Sequence, residues 1–200
     1  MAEISASAVR KLREQTGIGL MACKKALQET DGDIEKAVDF LRKQGMAAVE
    51  KRAGRDALEG LVTSYIHPGN RLGVLLEVNC ETDFVARTDD FQQFAKDVAM
   101  HIAAEQPKAV DRESIDSSII DHEREIYLEQ AKNEGKPENI AEKIVTGRIE
   151  KFFQENCLLE QPFVKNSDQS IEDLVTELTS KVGEKITISR FSVFRLGEAS

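Results

Sequence analysis

The chain holds 200 residues, with 27 Lys+Arg against 36 Asp+Glu and a formal net charge of −9 at pH 7. That balance argues against nucleic-acid binding, which needs clustered cations to displace condensed counterions. Hydrophobic residues make up 40% and charged residues 32%, a globular composition, and no apolar run approaches the roughly 20 residues of a membrane helix.

Residues 1–55 carry a charge of +3 and the remainder −12, an asymmetry that points to two units, 1–55 and 56–200, with different surfaces. In the first, the periodicity predicts three short helices. Ser5 or Ser7 caps the first, Val9 and Leu12 form its apolar stripe, and Thr16-Gly17 ends it. Leu20, Cys23, Lys24 and Leu27 follow at helical spacing, with the Lys24 stem lying along the stripe, and Asp31-Gly32 ends that helix. Asp33 caps a third helix with Ile34, Ala37, Val38 and Leu41 on one face and Gly45 as its stop. The connection Gly17-Ile18-Gly19-Leu20-Met21 sets large apolar residues beside a glycine-rich turn. Leu20 and Met21 are either core residues or an exposed binding surface. Ala47–Asp56 either extends the third helix or links the units.

The period then changes to two. Gly60–His67 reads as a strand, Pro68-Gly69-Asn70 as a turn, and Leu72, Val74, Leu76 and Val78 as the buried face of a second, antiparallel strand. Near the C-terminus Ile186 and Ile188 alternate, followed by Phe191 and Val193 in the opposite phase; a bulge near Arg190 accounts for the slip. This strand is expected to complete a three-stranded sheet. Between the strands, Phe91, Phe94, Ala95, Val98 and Ile102 mark one helix, and Asp121 caps another that runs to Gly135. Pro137 opens a third on which Ala141, Ile144, Val145, Arg148 and Phe152 share a face. Ser170–Asp173 resembles a capping box before a helix carrying Leu174, Val175, Leu178 and Val182 and ending at Gly183. A helical module followed by a small antiparallel sheet packed with helices is an α+β fold.

Catalytic signatures are missing. There is no phosphate-cradling glycine loop and no nucleophile elbow, and His67, His101 and His122 lack metal-ligand spacing. His101 reads as structural. Cys23, Cys80 and Cys157 form neither a CxxC pair nor a disulfide framework, the usage of a reducing compartment. Met1-Ala2-Glu3-Ile4-Ser5 lacks the basic start and apolar stretch of a signal peptide. One segment fits no scaffold role: Glu81-Thr82-Asp83-Phe84-Val85-Ala86 follows the second strand directly, Thr82 or Asp83 can cap a helical turn there, and Phe84 either folds into the core or stands on a protruding corner.

Val78-Asn79-Cys80-Glu81-Thr82-Asp83-Phe84-Val85-Ala86 closely resembles the signature of the bacterial elongation factor Ts family. So do Leu12–Met21 with Cys23–Leu27, Gly32–Ala37, Asn133–Pro137, Ile140–Lys143 and Gln161–Val164, in order along nearly the whole chain. The resemblance implies a ubiquitin-associated-like three-helix domain followed by a core with a small sheet. It also implies a guanine-nucleotide exchange factor, and not an enzyme, that binds elongation factor Tu·GDP and promotes GDP release. By resemblance, Phe84 wedges between helices of the partner's GTPase domain and disturbs its Mg²⁺ site, with Thr82, Asp83 and Val85 in the same segment. Arg13, Leu20, Met21 and Lys24 contact the partner from the helical module, and His67 lies near the interface. The metal belongs to the partner, so no cofactor or metal is expected here, nor any nucleic-acid or membrane contact. Long family members have a duplicated core. This single-core sequence looks like the short form, which implies a non-covalent homodimer because the last strand has Ser189 and Ser192 but no cysteine. The expected location is the cytoplasm, or an organellar stroma or matrix. The alternative is a ubiquitin-associated-type adaptor that binds protein without promoting exchange.

Overall fold

The computed structural model describes residues 4–198; Met1–Glu3, the head of the segment read as lacking a leader, and Ala199–Ser200 lie outside the described residues. The chain begins with three helices, α1 (Ala6–Thr16), α2 (Leu20–Glu29) and α3 (Ile34–Arg52). Strands β1 (Glu59–Ile66) and β2 (Leu72–Cys80) follow, then the single turn α4 (Asp83–Ala86) and helices α5 (Asp89–Glu105), α6 (Ser117–Asn133) and α7 (Glu138–Asn156). A 3-10 turn at Leu158–Glu160 leads into β3 (Pro162–Phe163), β4 (Asn166–Ser170), α8 (Ile171–Val182) and β5 (Thr187–Arg195). β1, β2 and β5 form a three-stranded sheet in that order, so the fold is α+β.

Two compact units share these elements. One takes in the chain up to Val62, Val78–Phe94 and Asp173–Thr187; the other holds Thr63–Glu77, Ala95–Glu172 and the chain from Ile188 onward. In the first, α1–α3 close around Leu12, Cys23, Ala26, Leu27, Ala37 and Leu41. Ser5 Oγ accepts from the Ala8 amide at 3.2 Å and Asp33 Oδ1 from the Lys36 amide at 3.1 Å, each satisfying a donor that the first helical turn leaves free. Gly17 ends α1 in the left-handed region, φ 66°, where its amide reaches the Arg13 carbonyl at 2.8 Å and a side chain would be strained.

Three expectations for this unit change. The buried stripe of α2 is Cys23, Ala26 and Leu27, while Leu20 and Lys24 face water. Val38 is likewise exposed. Gly45 does not stop α3, which continues to Arg52, so Ala47–Arg52 extends the helix. Its small size serves packing instead: a Cβ there would lie 2.8 Å from Ser180 Oγ and 3.1 Å from Thr176 Cγ2 on α8. A glycine at such a close approach looks, in sequence, like a terminator.

In the second unit α6 and α7 pair over Ala109, Ile115, Val145, Ile149, Phe152, Phe153 and Cys157. Asp116, not Asp121, caps α6, accepting from the Ser118 amide at 2.8 Å. Pro137 stands at the N-cap of α7 rather than inside it. The buried face of α7 runs Ala141, Val145, Ile149, Phe152 and Phe153, so Ile144 and Arg148 flank it. Burial pushes the Cys157 thiol up to about 11, so it stays protonated and inert. Along β5 Ile188 is buried, Ser189 and Arg190 are both exposed, and Phe191 and Val193 are half-buried, the phase slip that the pattern predicts. The β3–β4 pair has too few residues to show in periodicity.

His101 is fully buried. Its Nδ1 accepts from the Val164 amide at 3.3 Å, which leaves Nε2 to donate to Gln161 Oε1 at 3.0 Å. Burial holds its pKa below the usual 6.5, the Gln161 contact opposing only in part. The unfolded chain then takes up a proton first as pH falls, so the stabilisation is complete above about 6.5 and lost below it. Melting temperature should therefore fall by several degrees between pH of about 7.5 and 5.5. A His101→Gln variant, though less stable throughout, should show a shallower slope in the same scan.

Candidate functional site

The Thr82–Val85 segment begins where β2 ends. Cys80 is buried, its Sγ donates to the Thr82 carbonyl at 3.1 Å, and burial together with the Glu184 carboxylate pushes its thiol up. Thr82 is extended and caps α4, its Oγ1 accepting from the Val85 amide at 3.4 Å. The same Oγ1 donates to Glu184 Oε1 at 2.7 Å, and the Thr82 amide donates to Glu184 Oε2 at 3.0 Å. Glu81 accepts from the Lys185 amide at 2.7 Å and from Arg55 at 3.1 and 3.3 Å. Those donors, the Lys185 amide first, hold its carboxyl below the usual carboxylate range.

This backbone presents Phe84 to water. Its ring is 76% exposed, whereas its neighbours Val85 and Ala86 are 5% and 8% exposed and anchor the turn. The reading of Phe84 as a core residue is excluded. Asp83 is exposed and pairs with Arg87 at 2.7 Å, a pair that in full solvent contributes little.

The helical module carries a second exposed apolar group. Gly19 precedes α2 without a side-chain cap, and Leu20 and Met21, in the first turn, are 49% and 78% exposed. Ile18 packs against the helical core instead. Arg13 and Lys24 are exposed and make no ion pair among the described residues. Lys181 runs past this turn, since a Cβ on Gly17 would meet its Nζ at 3.4 Å, and pairs with Asp90 at 2.7 Å. Arg13, Leu20, Met21, Lys24 and the Thr82–Val85 segment thus belong to one compact unit. His67 belongs to the other, exposed on the β1–β2 turn with its Nδ1 3.3 Å from the Tyr65 hydroxyl.

Sequence reading missed the groups that hold the corner: Glu184, Lys185 and Arg55. Glu184 is 102 positions from Thr82, and its only local signal was the Gly183 stop before it. Among the described residues no group of three or more His, Cys, Asp or Glu could hold a metal ion, and no helix is long and apolar enough to cross a membrane.

An exposed aromatic on a fixed corner and an exposed Leu-Met pair offer apolar contact, the chemistry of a protein-docking surface on an α+β scaffold. The family model described as elongation factor TS matches residues 46–198. The chain is 58% identical to the elongation factor Ts of Desulforamulus reducens over 198 residues, 99% of this chain and 91% of that one. It is 57% identical to that of Carboxydothermus hydrogenoformans, covering 98% and 90% of the two chains, and 56% identical to that of Thermoanaerobacter sp. strain X514, covering 98% and 96%. The chain belongs to the elongation factor Ts family, and it is a translation elongation factor.

Proposed function

We propose that the chain is the guanine-nucleotide exchange factor of elongation factor Tu, binding the GDP-bound partner and promoting GDP release without covalent chemistry of its own. The observation that carries this reading is Phe84, held in water at 76% exposure on a corner pinned by Glu184 and Glu81. Phe84 inserts between helices of the partner's GTPase domain, with Thr82 and Asp83 beside it and Val85 as the buried anchor. The insertion displaces the partner's Mg²⁺, which otherwise clamps the diphosphate. The chain itself uses no cofactor or metal and engages neither nucleic acid nor membrane, working in the cytoplasm or an organellar equivalent.

Energetics support this division of labour. Weakening nucleotide binding 1,000-fold takes about 4 kcal/mol of preference for the nucleotide-free partner, and linkage requires nucleotide to weaken the factor equally. One buried aromatic with a few polar contacts supplies that order. Residues 1–55 dock the GTPase domain through Arg13, Leu20, Met21 and Lys24, residues 56–200 carry the wedge, and His67 adds a contact. The short form acts as a non-covalent homodimer, a reading supported by exposed Ile66, Leu75 and Phe194 on the strands.

Truncating an exposed ring leaves no cavity, so Phe84→Ala should melt within about a degree of wild type, where a buried Phe would lose about 3–5 kcal/mol. Release of fluorescent GDP from elongation factor Tu should nevertheless slow at least ~tenfold, about 1.4 kcal/mol in the barrier. Wild-type release from the folded variant would end the wedge reading. If the variant is slow while residues 1–55 prove dispensable for exchange, the docking role of the helical module fails instead. Lys24→Glu should weaken association with elongation factor Tu at low salt, the deficit shrinking as salt rises; equal affinity removes Lys24 from the interface. Sedimentation at tens of micromolar should show a dimer, and a 22.3 kDa species alone with full exchange activity would refute it.

A further inference from the structure

The loop between α8 and β5 touches both the Phe84 corner and the C-terminal end of the helical module. Toward the corner, Glu184 takes both Thr82 donors at 2.7 and 3.0 Å, and the Lys185 amide donates to Glu81 at 2.7 Å. Toward the helical module, Lys185 Nζ donates to the Ala53 and Arg55 carbonyls at 2.7 and 2.9 Å, just beyond α3, and Arg52 Nε donates to the Gly183 carbonyl at 3.0 Å. Arg55 closes the circuit by pairing with Glu81 at 3.1 Å.

We infer that Glu184 and Lys185 are positioning residues for Phe84, fixing its turn to the end of α3 so that docking through the helical module delivers the ring at a set place and angle. The inference rests on the exchange reading above. A four-residue helix is far too short to hold itself. Its direction is set by the dihedrals of Thr82, and any swing there breaks two hydrogen bonds to a carboxylate, which are stronger than neutral ones. Lys185 extends the constraint, because one residue contributes its amide to the corner and its ammonium to the chain after α3. A wedge that arrives about 1 Å away loses much of its effect even when association is unimpaired.

The test separates placement from folding. GDP release from elongation factor Tu is followed with increasing full-length factor for wild type, Glu184→Ala, Glu184→Gln and Phe84→Ala, with thermal melts of each. Glu184→Ala should lower the saturating rate at least ~fivefold while the half-saturating concentration stays within about twofold, because docking is intact and the wedge is misplaced. Glu184→Gln, which keeps one acceptor for the Thr82 amide, should recover most of the rate; it also carries the test if the alanine variant melts below assay temperature. Thr82→Val combined with Glu184→Ala should lose less than the product of the separate losses, as expected for partners. A merely structural Glu184 would instead leave the saturating rate at the wild-type value and raise the half-saturating concentration in proportion to the unfolded fraction, which would overturn the inference. If Phe84→Ala is slow and both Glu184 variants saturate at the wild-type rate, the positioning role fails and the wedge stands. If Phe84→Ala itself is unimpaired, the exchange reading fails and the positioning role falls with it.

Discussion

A phenylalanine ring left in water forgoes roughly 1.5–3 kcal/mol that burial would supply, so a chain that keeps Phe84 at 76% exposure must deny it every inward path. The denial is made in the backbone. Cys80 and Val85 are buried on either side of the corner, which fixes where the chain enters and leaves it. Glu184 then takes the amide and hydroxyl of Thr82, and Glu81 is held by the Lys185 amide and Arg55. With those dihedrals set, the alternation of β2 and the single turn of α4 turn Val85 inward and leave Phe84 outward. The exposed ring is thus a consequence of polar groups rather than of apolar packing.

The ion pairs of this unit have the same character. Arg42–Asp173, Arg55–Glu81 and Lys181–Asp90 join segments distant in sequence at 2.6–3.1 Å, yet each is partly solvated and contributes under about 1 kcal/mol. Their value lies in geometry: Arg42–Asp173 registers α8 against α3, Lys181–Asp90 registers it against the start of α5, and Arg55–Glu81 ties the chain after α3 to the corner after β2. Only some cations of the unit are occupied in ion pairs. Arg13 and Lys24 are not, and they stand beside the exposed Leu20 and Met21 turn. An unpaired cation beside an apolar tip is what a docking surface uses to orient an acidic partner before contact is made.

How much of this was legible in the sequence depends on the range of the interaction involved. Period-two alternation in β2, the α5 stripe and the Pro68-Gly69-Asn70 turn are local, and the structure matches them. Gly45 was misread because its contact, Ser180 of α8, is 135 positions away and only a close helix approach explains a glycine there. Asp121 is a capping type, but so is Asp116, and the helix boundary at Ser117, which no residue type marks, makes Asp116 the cap. Leu20 and Lys24 fall on the expected stripe of α2, but the face that meets the bundle core is Cys23, Ala26 and Leu27, a rotation that the packing partners on α1 and α3 decide. The Thr82–Val85 motif is visible as a motif; the exposure of Phe84 is not derivable, because the groups that enforce it are Glu184 and Lys185, and the Gly183 stop before them carries no sign of partners 102 or more positions away.

That separation has a consequence for how such a surface works. A flexible aromatic would gain affinity for any apolar cleft but would surrender part of it to ordering on contact. In the proposed exchange role the ring must favour one state of the partner over another, and only preference, not affinity, shifts a nucleotide equilibrium. A ring that can adjust follows the partner into either state and binds both alike. In that proposed role, held by Thr82, Glu81 and the loop that grips them, Phe84 would not follow, and a partner that closes on its nucleotide would lose the contact. Rigidity at the corner is therefore what converts apolar contact into the capacity to discriminate between two conformations.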